Sequence, residues 1–175
     1  MQLNLILILL KHLKIGIAWK GSSGYAADRE RSFQLECFKP ILDIDDVRIV
    51  TLMQNSRAEF LEFAGNRALD IGHEIDEATA PFEETAALIM NLDLVITCDT
   101  SVGHLAGALG KSAWVLLPYS PDWRWIIGRD NSPWYPHTRL FKQFEPGNWT
   151  EVFERVTSAI RDQQVRIKWA INDTY

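Results

Sequence analysis

Residues 94–110 read LVITCDTSVGHLAGALG. The apolar run at 94–97 predicts a buried strand, and the small residues after Asp99-Thr100-Ser101 predict a helix that begins near residue 101. Gly110 predicts the end of that helix, and a second apolar run at 113–117 predicts another strand. The stretch is therefore interpreted as one strand–helix–strand unit of an α/β fold.

The polar turn in the middle of this unit is a candidate phosphate site. A helix start presents unpaired backbone N–H groups and a partial positive charge, which together suit an anion. Asp99, Thr100 or Ser101 can cap the helix, and His104 lies one turn further along on the same face. An ordinary helix cap and a histidine satisfied within the core are the structural alternatives.

The rest of the chain continues the alternation of strands and helices. Predicted strands lie at 14–19, 47–53, 68–71, 94–97, 113–117 and 138–143, and predicted helices at 33–42, 57–64, 82–91, 101–109 and 149–162. This order predicts an α/β fold with a Rossmann-like parallel sheet that has helices on both faces. Such sheets bind ligands at the carboxyl ends of their strands, where the loop at 20–25 and the Asp99 turn both fall.

The composition is that of one globular domain. The chain has 175 residues, 47% of them hydrophobic and 23% charged, which is enough for a well-formed core. Its net charge of −5 offers no electrostatic basis for binding nucleic acid, while a local basic pocket for a phosphorylated ligand stays compatible with it. We divide the chain into an apolar extension at 1–13, a Rossmann-like domain at 14–164 and a tail at 165–175.

The first ten residues are apolar but too few to span a membrane. They show neither a basic start nor a small-residue cleavage site, so we expect no signal peptide. They are either an extra element packed on the core or the remnant of a longer protein.

Cysteine and histidine usage predicts an intracellular protein without a metal site. Cys37 and Cys98 form no CxxC pattern and stand among apolar residues, which predicts reduced, buried thiols and a cytoplasmic location. The four histidines do not cluster with the cysteines at the spacing that zinc requires.

Several common motifs are absent from the sequence. No GxGxxG follows the first strand, and no GxSxG nucleophile elbow occurs. Gly110-Lys111-Ser112 resembles the end of a P-loop, but Leu105 stands where the first glycine of that motif is required. The basic residues near the first strand, Arg29 and Arg31 among them, are on the simplest interpretation a solvated surface.

The segment 119–137 is long for a loop of a compact domain, and a loop of this length is usually functional. It contains the run Asp122-Trp123-Arg124-Trp125 and a further tryptophan at position 134. These indole rings either stack on a base or a sugar or plug the edge of the core, and the sequence leaves both interpretations open.

Several motifs together resemble those of one glycosyltransferase family. They are IGIAW at 15–19, RS at 31–32, ETAALI at 84–89, LDLVITCDTSVGHLAGALG at 92–110 and WVLLP at 114–118. From about residue 14 to residue 160 the chain resembles the heptosyltransferase-like glycosyltransferases of family 9. DWRW at 122–125 and DNSPWY at 130–135 resemble, more narrowly, the catalytic part of bacterial tetratricopeptide-repeat proteins of the O-linked N-acetylglucosamine transferase type.

The resemblance implies a GT-B enzyme, in which a nucleoside diphosphate sugar binds between two Rossmann-like domains. This chain resembles the C-terminal, donor-binding half of such an enzyme, whose complete form would carry out an inverting sugar transfer. Arg31 and His104 would be the catalytic residues. The donor-binding residues would be Lys20, Gln54, Phe82, Asp99, Thr100, Ser101, Val102 and Gly103. Within this set Gln54 and Phe82 would hold the nucleoside, and the others would lie around the diphosphate.

The same resemblance implies what the chain would lack alone. In the family the acceptor site and the acidic base belong to the N-terminal half, so we expect this chain to bind donor weakly and to transfer nothing by itself. A separate N-terminal or tetratricopeptide-repeat domain, or a second copy of the chain, would be its partner. Backbone N–H groups, hydroxyls and a guanidinium can stabilise a departing diphosphate without a metal, so neither a cofactor nor a metal ion is expected.

Two alternatives remain at the level of sequence. One is a non-catalytic module that binds a nucleotide or a protein through the tryptophan-rich segment. The other is a GT-B nucleotide-sugar epimerase, which uses the same principle of phosphate binding.

Overall fold

A computed structural model of the chain describes residues 12–22, 24, 28–70 and 81–172, with the backbone alone for residue 81 and residues 163–172. Its five strands are β1 (Leu13–Ala18), β2 (Val47–Thr51), β3 (Leu94–Cys98), β4 (Ala113–Leu117) and β5 (Thr138–Lys142). All neighbouring strands are parallel, in the order β2-β1-β3-β4-β5. The predicted Rossmann-like sheet is therefore confirmed.

Six α-helices in the described residues connect or flank the strands. They are α1 (Asp28–Arg31), α2 (Lys39–Leu42), α3 (Arg57–Ala64), α4 (Pro81–Met90), α5 (Ser101–Ala108) and α6 (Trp149–Asn172). Short 3-10 turns lie at Leu35–Phe38, Gly65–Arg67 and Trp123–Trp125.

Two elements differ from their predicted form. The helix predicted at 33–42 is a 3-10 turn followed by the short α2, because Pro40 has no N–H to donate to the carbonyl four residues earlier. The strand predicted at 68–71 is a single bridge between Ala68 and Ile49, and its last residue lies outside the described residues.

The ends of the chain bear on the predicted domain limits. Helix α6 continues without a break past residue 164 to Asn172, so most of the predicted tail prolongs this helix. Residues 1–11 and 173–175 lie outside the described residues. In the described part of the chain, no helix combines the length and apolar character that a membrane crossing requires.

Apolar side chains fill both faces of the sheet. On one face Phe33, Phe38 and Phe153 form an aromatic cluster that packs the 3-10 turn at Leu35–Phe38 and helix α6 against the strands, with ring centroids 5.0–5.8 Å apart. On the other face Ile89 of α4 and Ala106 of α5 are fully buried against the sheet. Helices thus cover both faces, as the sequence predicts.

The two cysteine thiols are free but differ in burial. Cys98 at the end of β3 is fully buried, and this desolvation raises its pKa to about 12. Cys37 is only partly buried, contrary to the prediction for both thiols, and burial raises its pKa as well.

Candidate functional site

The order of the strands marks one place on the sheet where a ligand is expected. The chain passes from β1 outward to β2 and then returns to β3 on the other side of β1. In open parallel sheets this reversal leaves a crevice at the carboxyl ends of the two strands where it occurs. Here those ends are Ala18 and Cys98, so the crevice lies between the loop that begins at Lys20 and the turn at Asp99.

Helix α5 begins at this crevice. Thr100 is its N-cap residue and has extended backbone angles, but its side chain makes no capping hydrogen bond. The Thr100 hydroxyl instead pairs with that of Thr97 at 3.1 Å. The capping predicted for this turn is therefore made by backbone conformation alone, and the Thr100 side chain does not occupy the N–H donors of the first turn.

Arg31 connects α1 to the start of α5. Its Nη1 donates to the carbonyl oxygen of Asp99 at 2.6 Å, and its Nε donates to Asp28 Oδ1 at 3.0 Å. The other carboxylate oxygen of Asp28 accepts from the Ser32 hydroxyl at 3.0 Å. This network holds a guanidinium beside the positive end of the helix, where the two together suit an anionic group.

Two adjoining clefts meet at these groups. The first has a volume of about 820 Å³ and the second about 500 Å³. Both are lined by Arg31, Thr100 and Ser101. The candidate anion site therefore lies at the boundary of two spaces, each within the size range of small-molecule pockets.

The structure brings together nine of the ten residues predicted to act in the site. Asp99 and His104 line the first cleft, while Lys20, Gln54, Phe82 and Val102 line the second. The exposed Nζ of Lys20 pairs with Glu59 of α3 at 3.2 Å.

Gly103 is the predicted residue that lines neither cleft. A Cβ at this position would lie 3.1 Å from Thr97 Cγ2 and 3.2 Å from Val115 Cγ2. Its missing side chain lets α5 pack closely on β3 and β4, so Gly103 positions the helix whose start forms the candidate anion site.

His104 is held by two aromatic residues from the 119–137 segment. Its ring stacks on Trp125 with centroids 5.0 Å apart and planes at 16°, and its Nδ1 lies 3.2 Å from the Tyr135 hydroxyl oxygen. With Nδ1 engaged in this way, Nε2 is the ring nitrogen that remains for a ligand in the first cleft. His104 is therefore both a packed residue, as in the structural alternative, and a residue that lines the cleft, as in the functional one.

The tryptophans of the 119–137 segment have opposite environments. Trp125 is 1% exposed and packs among Val115, Leu117 and Leu140, whereas Trp123 is 76% exposed at the edge of the first cleft. The Trp125 ring packs at the edge of the core, and the Trp123 ring is accessible to a ligand. Of the two roles that the sequence leaves open, the first applies to Trp123 and the second to Trp125.

Tyr135 is a site residue that sequence reasoning missed. It lines the first cleft, contacts His104, and lies with its ring directly over the backbone of Gly107. The many aromatic residues of the 119–137 segment indicate that it has a role in the site. They do not indicate which of these residues faces α5.

We expect Gly107→Ala to destabilise the chain. The added Cβ would overlap Tyr135 Cγ and lie 2.8 Å from the two Cδ atoms. Such overpacking costs about 1–3 kcal/mol, more than the gain of about 1 kcal/mol that alanine brings to an open helix position. Denaturant unfolding measures the difference. A double variant with Tyr135→Ala should lose the clash, and an unchanged or higher stability of Gly107→Ala alone would contradict the contact.

Within the described ranges, no three His, Cys, Asp or Glu side chains are grouped so that they could hold a metal ion. The polar groups at the junction of the clefts are instead backbone N–H groups, hydroxyls and a guanidinium. These are hydrogen-bond donors suited to an anionic ligand.

Comparison with known sequences gives a relative that matches most of this chain. No protein-family model matches the chain. In an alignment of 155 residues that covers 85% of the chain, it is 32% identical to protein FlbA of Caulobacter vibrioides, and it spans only 25% of the length of that curated relative.

A solved structure with similar architecture is the ADP-heptose LPS heptosyltransferase II of E. coli. The superposition has a TM-score of 0.57 with 13% sequence identity, and covers 90% of this chain and 48% of that one. The fold of this chain is one that a heptosyltransferase also uses. At this identity the likeness establishes the α/β fold, and the chain corresponds to about half of the larger protein.

Proposed function

We propose that this chain binds the nucleoside diphosphate sugar of a glycosyltransferase, as the C-terminal half of a GT-B enzyme. The observation that carries the proposal is the position of Arg31, Thr100 and Ser101 at the junction of two clefts. A diphosphate at this junction would leave one cleft for the nucleoside and the other for the sugar.

The chemistry of the junction suits the leaving group of sugar transfer. When the glycosidic bond to a nucleoside diphosphate breaks, negative charge develops on the diphosphate oxygen. The start of α5, the Arg31 guanidinium and the Nε2 of His104 are groups that can stabilise this charge by hydrogen bonds. We therefore expect binding that does not depend on Mg²⁺.

The nucleoside fits the second cleft better than the first. Leu52, Phe82 and Leu105 supply apolar surface there, and Gln54 supplies an amide that can pair with the edge of a base. Small-molecule sites commonly combine apolar walls with a few such polar groups.

The partners and the complete reaction belong to this proposal too. The heptosyltransferase that shares the fold is about twice as long as the matching region, which supports a second domain as the source of the acceptor site and the base. A tetratricopeptide-repeat domain or a second copy of the chain would be the other partners. The chain alone would bind donor and transfer nothing.

One observation favours the non-catalytic alternative. Trp123, which lines the first cleft, and Ile127, four residues further along, are both strongly exposed, and exposed apolar groups of this kind also occur in protein-binding surfaces. A module that binds a partner protein through this surface would keep it covered in the complex and would show no affinity for nucleotides.

Calorimetric titration of the 175-residue chain with UDP, ADP, GDP and inorganic phosphate tests the proposal. We expect one nucleoside diphosphate to bind without Mg²⁺, and more tightly than phosphate. His104→Ala should weaken this binding about tenfold, since a hydrogen bond to a charged group is lost, and His104→Gln should restore part of it. Absence of binding to all four compounds would contradict the donor site.

A further inference from the structure

The first cleft has an aromatic wall that the diphosphate site does not use. Trp134 is 58% exposed, yet its ring is held in place because its Nε1 donates to the carbonyl oxygen of Arg124 at 2.9 Å. Trp123 lines the same cleft, with the guanidinium of Arg124 5.5 Å from its ring centre. Two large and mostly exposed rings are thus presented beside the cleft at little entropic cost.

The polar groups around these rings include hydrogen-bond acceptors. Glu30, Ser120 and Asp122 line the first cleft with carboxylates and a hydroxyl, and Arg124 lines it with a guanidinium. Asp122 is itself fixed, because it accepts from the backbone N–H of Arg124 at 3.0 Å and pairs with its guanidinium at 2.8 Å. Hydroxyl donors would therefore find acceptors here.

A pyranose ring matches both features. One of its faces is a patch of C–H bonds that packs on an aromatic ring, and its hydroxyls donate to carboxylates. The second cleft supplies apolar surface and an amide for the nucleoside. The first cleft is therefore left for the sugar end of the donor.

We propose that the first cleft is the sugar subsite, in which the sugar of the donor stacks on Trp134 and Trp123. This inference rests on the proposed function, since the diphosphate at Arg31 directs the sugar toward His104 and these rings. Asp122, together with Ser120, then takes the sugar hydroxyls.

The test compares affinities for nucleoside diphosphates and for their sugars in the 175-residue chain. The probes are UDP, ADP and GDP with UDP-N-acetylglucosamine, ADP-glucose and GDP-mannose. We expect Trp134→Ala to weaken binding of the preferred nucleotide sugar about tenfold and to leave binding of the matching nucleoside diphosphate unchanged. Trp123→Ala should act in the same direction, and Trp134→Phe should retain most of the affinity.

Phe144→Ala serves as the matched control, because Phe144 is an exposed aromatic residue outside both clefts. Equal weakening of both ligands by Trp134→Ala would overturn the sugar subsite and place the base on this ring. An unaffected nucleotide sugar would also overturn it. If the unaltered chain binds no nucleoside diphosphate, the proposed function fails first, and that result is distinct from a loss confined to the sugar.

Discussion

Arg31→Ala lowers the affinity for the preferred nucleoside diphosphate by about 10- to 100-fold, as expected when charge-assisted hydrogen bonds to a phosphate are lost. The guanidinium lies between the two clefts and is tied to the carbonyl oxygen of Asp99 at 2.6 Å. Arg31→Lys should recover only part of the affinity, because an ammonium cannot make the same paired contacts. Calorimetry with the nucleoside diphosphate measures both variants.

Two controls separate binding from structure in this experiment. Arg29→Ala removes an exposed arginine from the same helix α1 that lines neither cleft, so its affinity should equal that of the unaltered chain. Asp28→Asn weakens the ion pair that holds Arg31 but keeps the guanidinium. If Arg31→Ala and Arg29→Ala bind equally well, Arg31 does not contact the ligand.

Trp125→Ala is expected to reduce the free energy of unfolding by about 3–5 kcal/mol, the range for truncating a large buried aromatic residue. The side chain is 1% exposed and packs against Val115 and Leu140 of the sheet. Its loss also removes the surface on which the His104 ring stacks, so ligand binding should weaken in the fraction that stays folded. Denaturant unfolding measures the stability difference.

Trp123→Ala is the matched control for this variant. The two tryptophans stand in the same 3-10 turn, but Trp123 is 76% exposed, and truncation of an exposed side chain usually changes stability by less than about 0.5 kcal/mol. Similar losses in both variants would contradict the described packing of the segment.

The elements with a local signal were predicted well from the sequence. Helix α3 and strand β4 have the predicted bounds, because a run of apolar residues at the right period is flanked by Gly65 in one case and by polar turns in the other. The break at Pro40 is also a local effect, because a proline has no N–H to continue a helix that begins before it.

The position of the candidate site follows from the sequence, whereas the orientation of its individual residues does not. Asp99, Thr100 and Ser101 follow a buried strand directly, so their position at the carboxyl edge of the sheet follows from the chain order. Gly103 stands two residues further along and was grouped with them by resemblance, but the turn of α5 directs it onto Thr97 and Val115.

The parallel α/β fold and the polar turn at the end of β3 can be derived from the chain alone, since both depend on residues that are neighbours in sequence. Which groups surround that turn depends on contacts between residues far apart in the chain. Arg31 reaches the carbonyl of Asp99 across 68 positions, and Tyr135 reaches His104 across 31. The same holds for the burial of Trp125 and the exposure of Trp123, because two identical side chains two residues apart differ only in which of them the folded sheet covers.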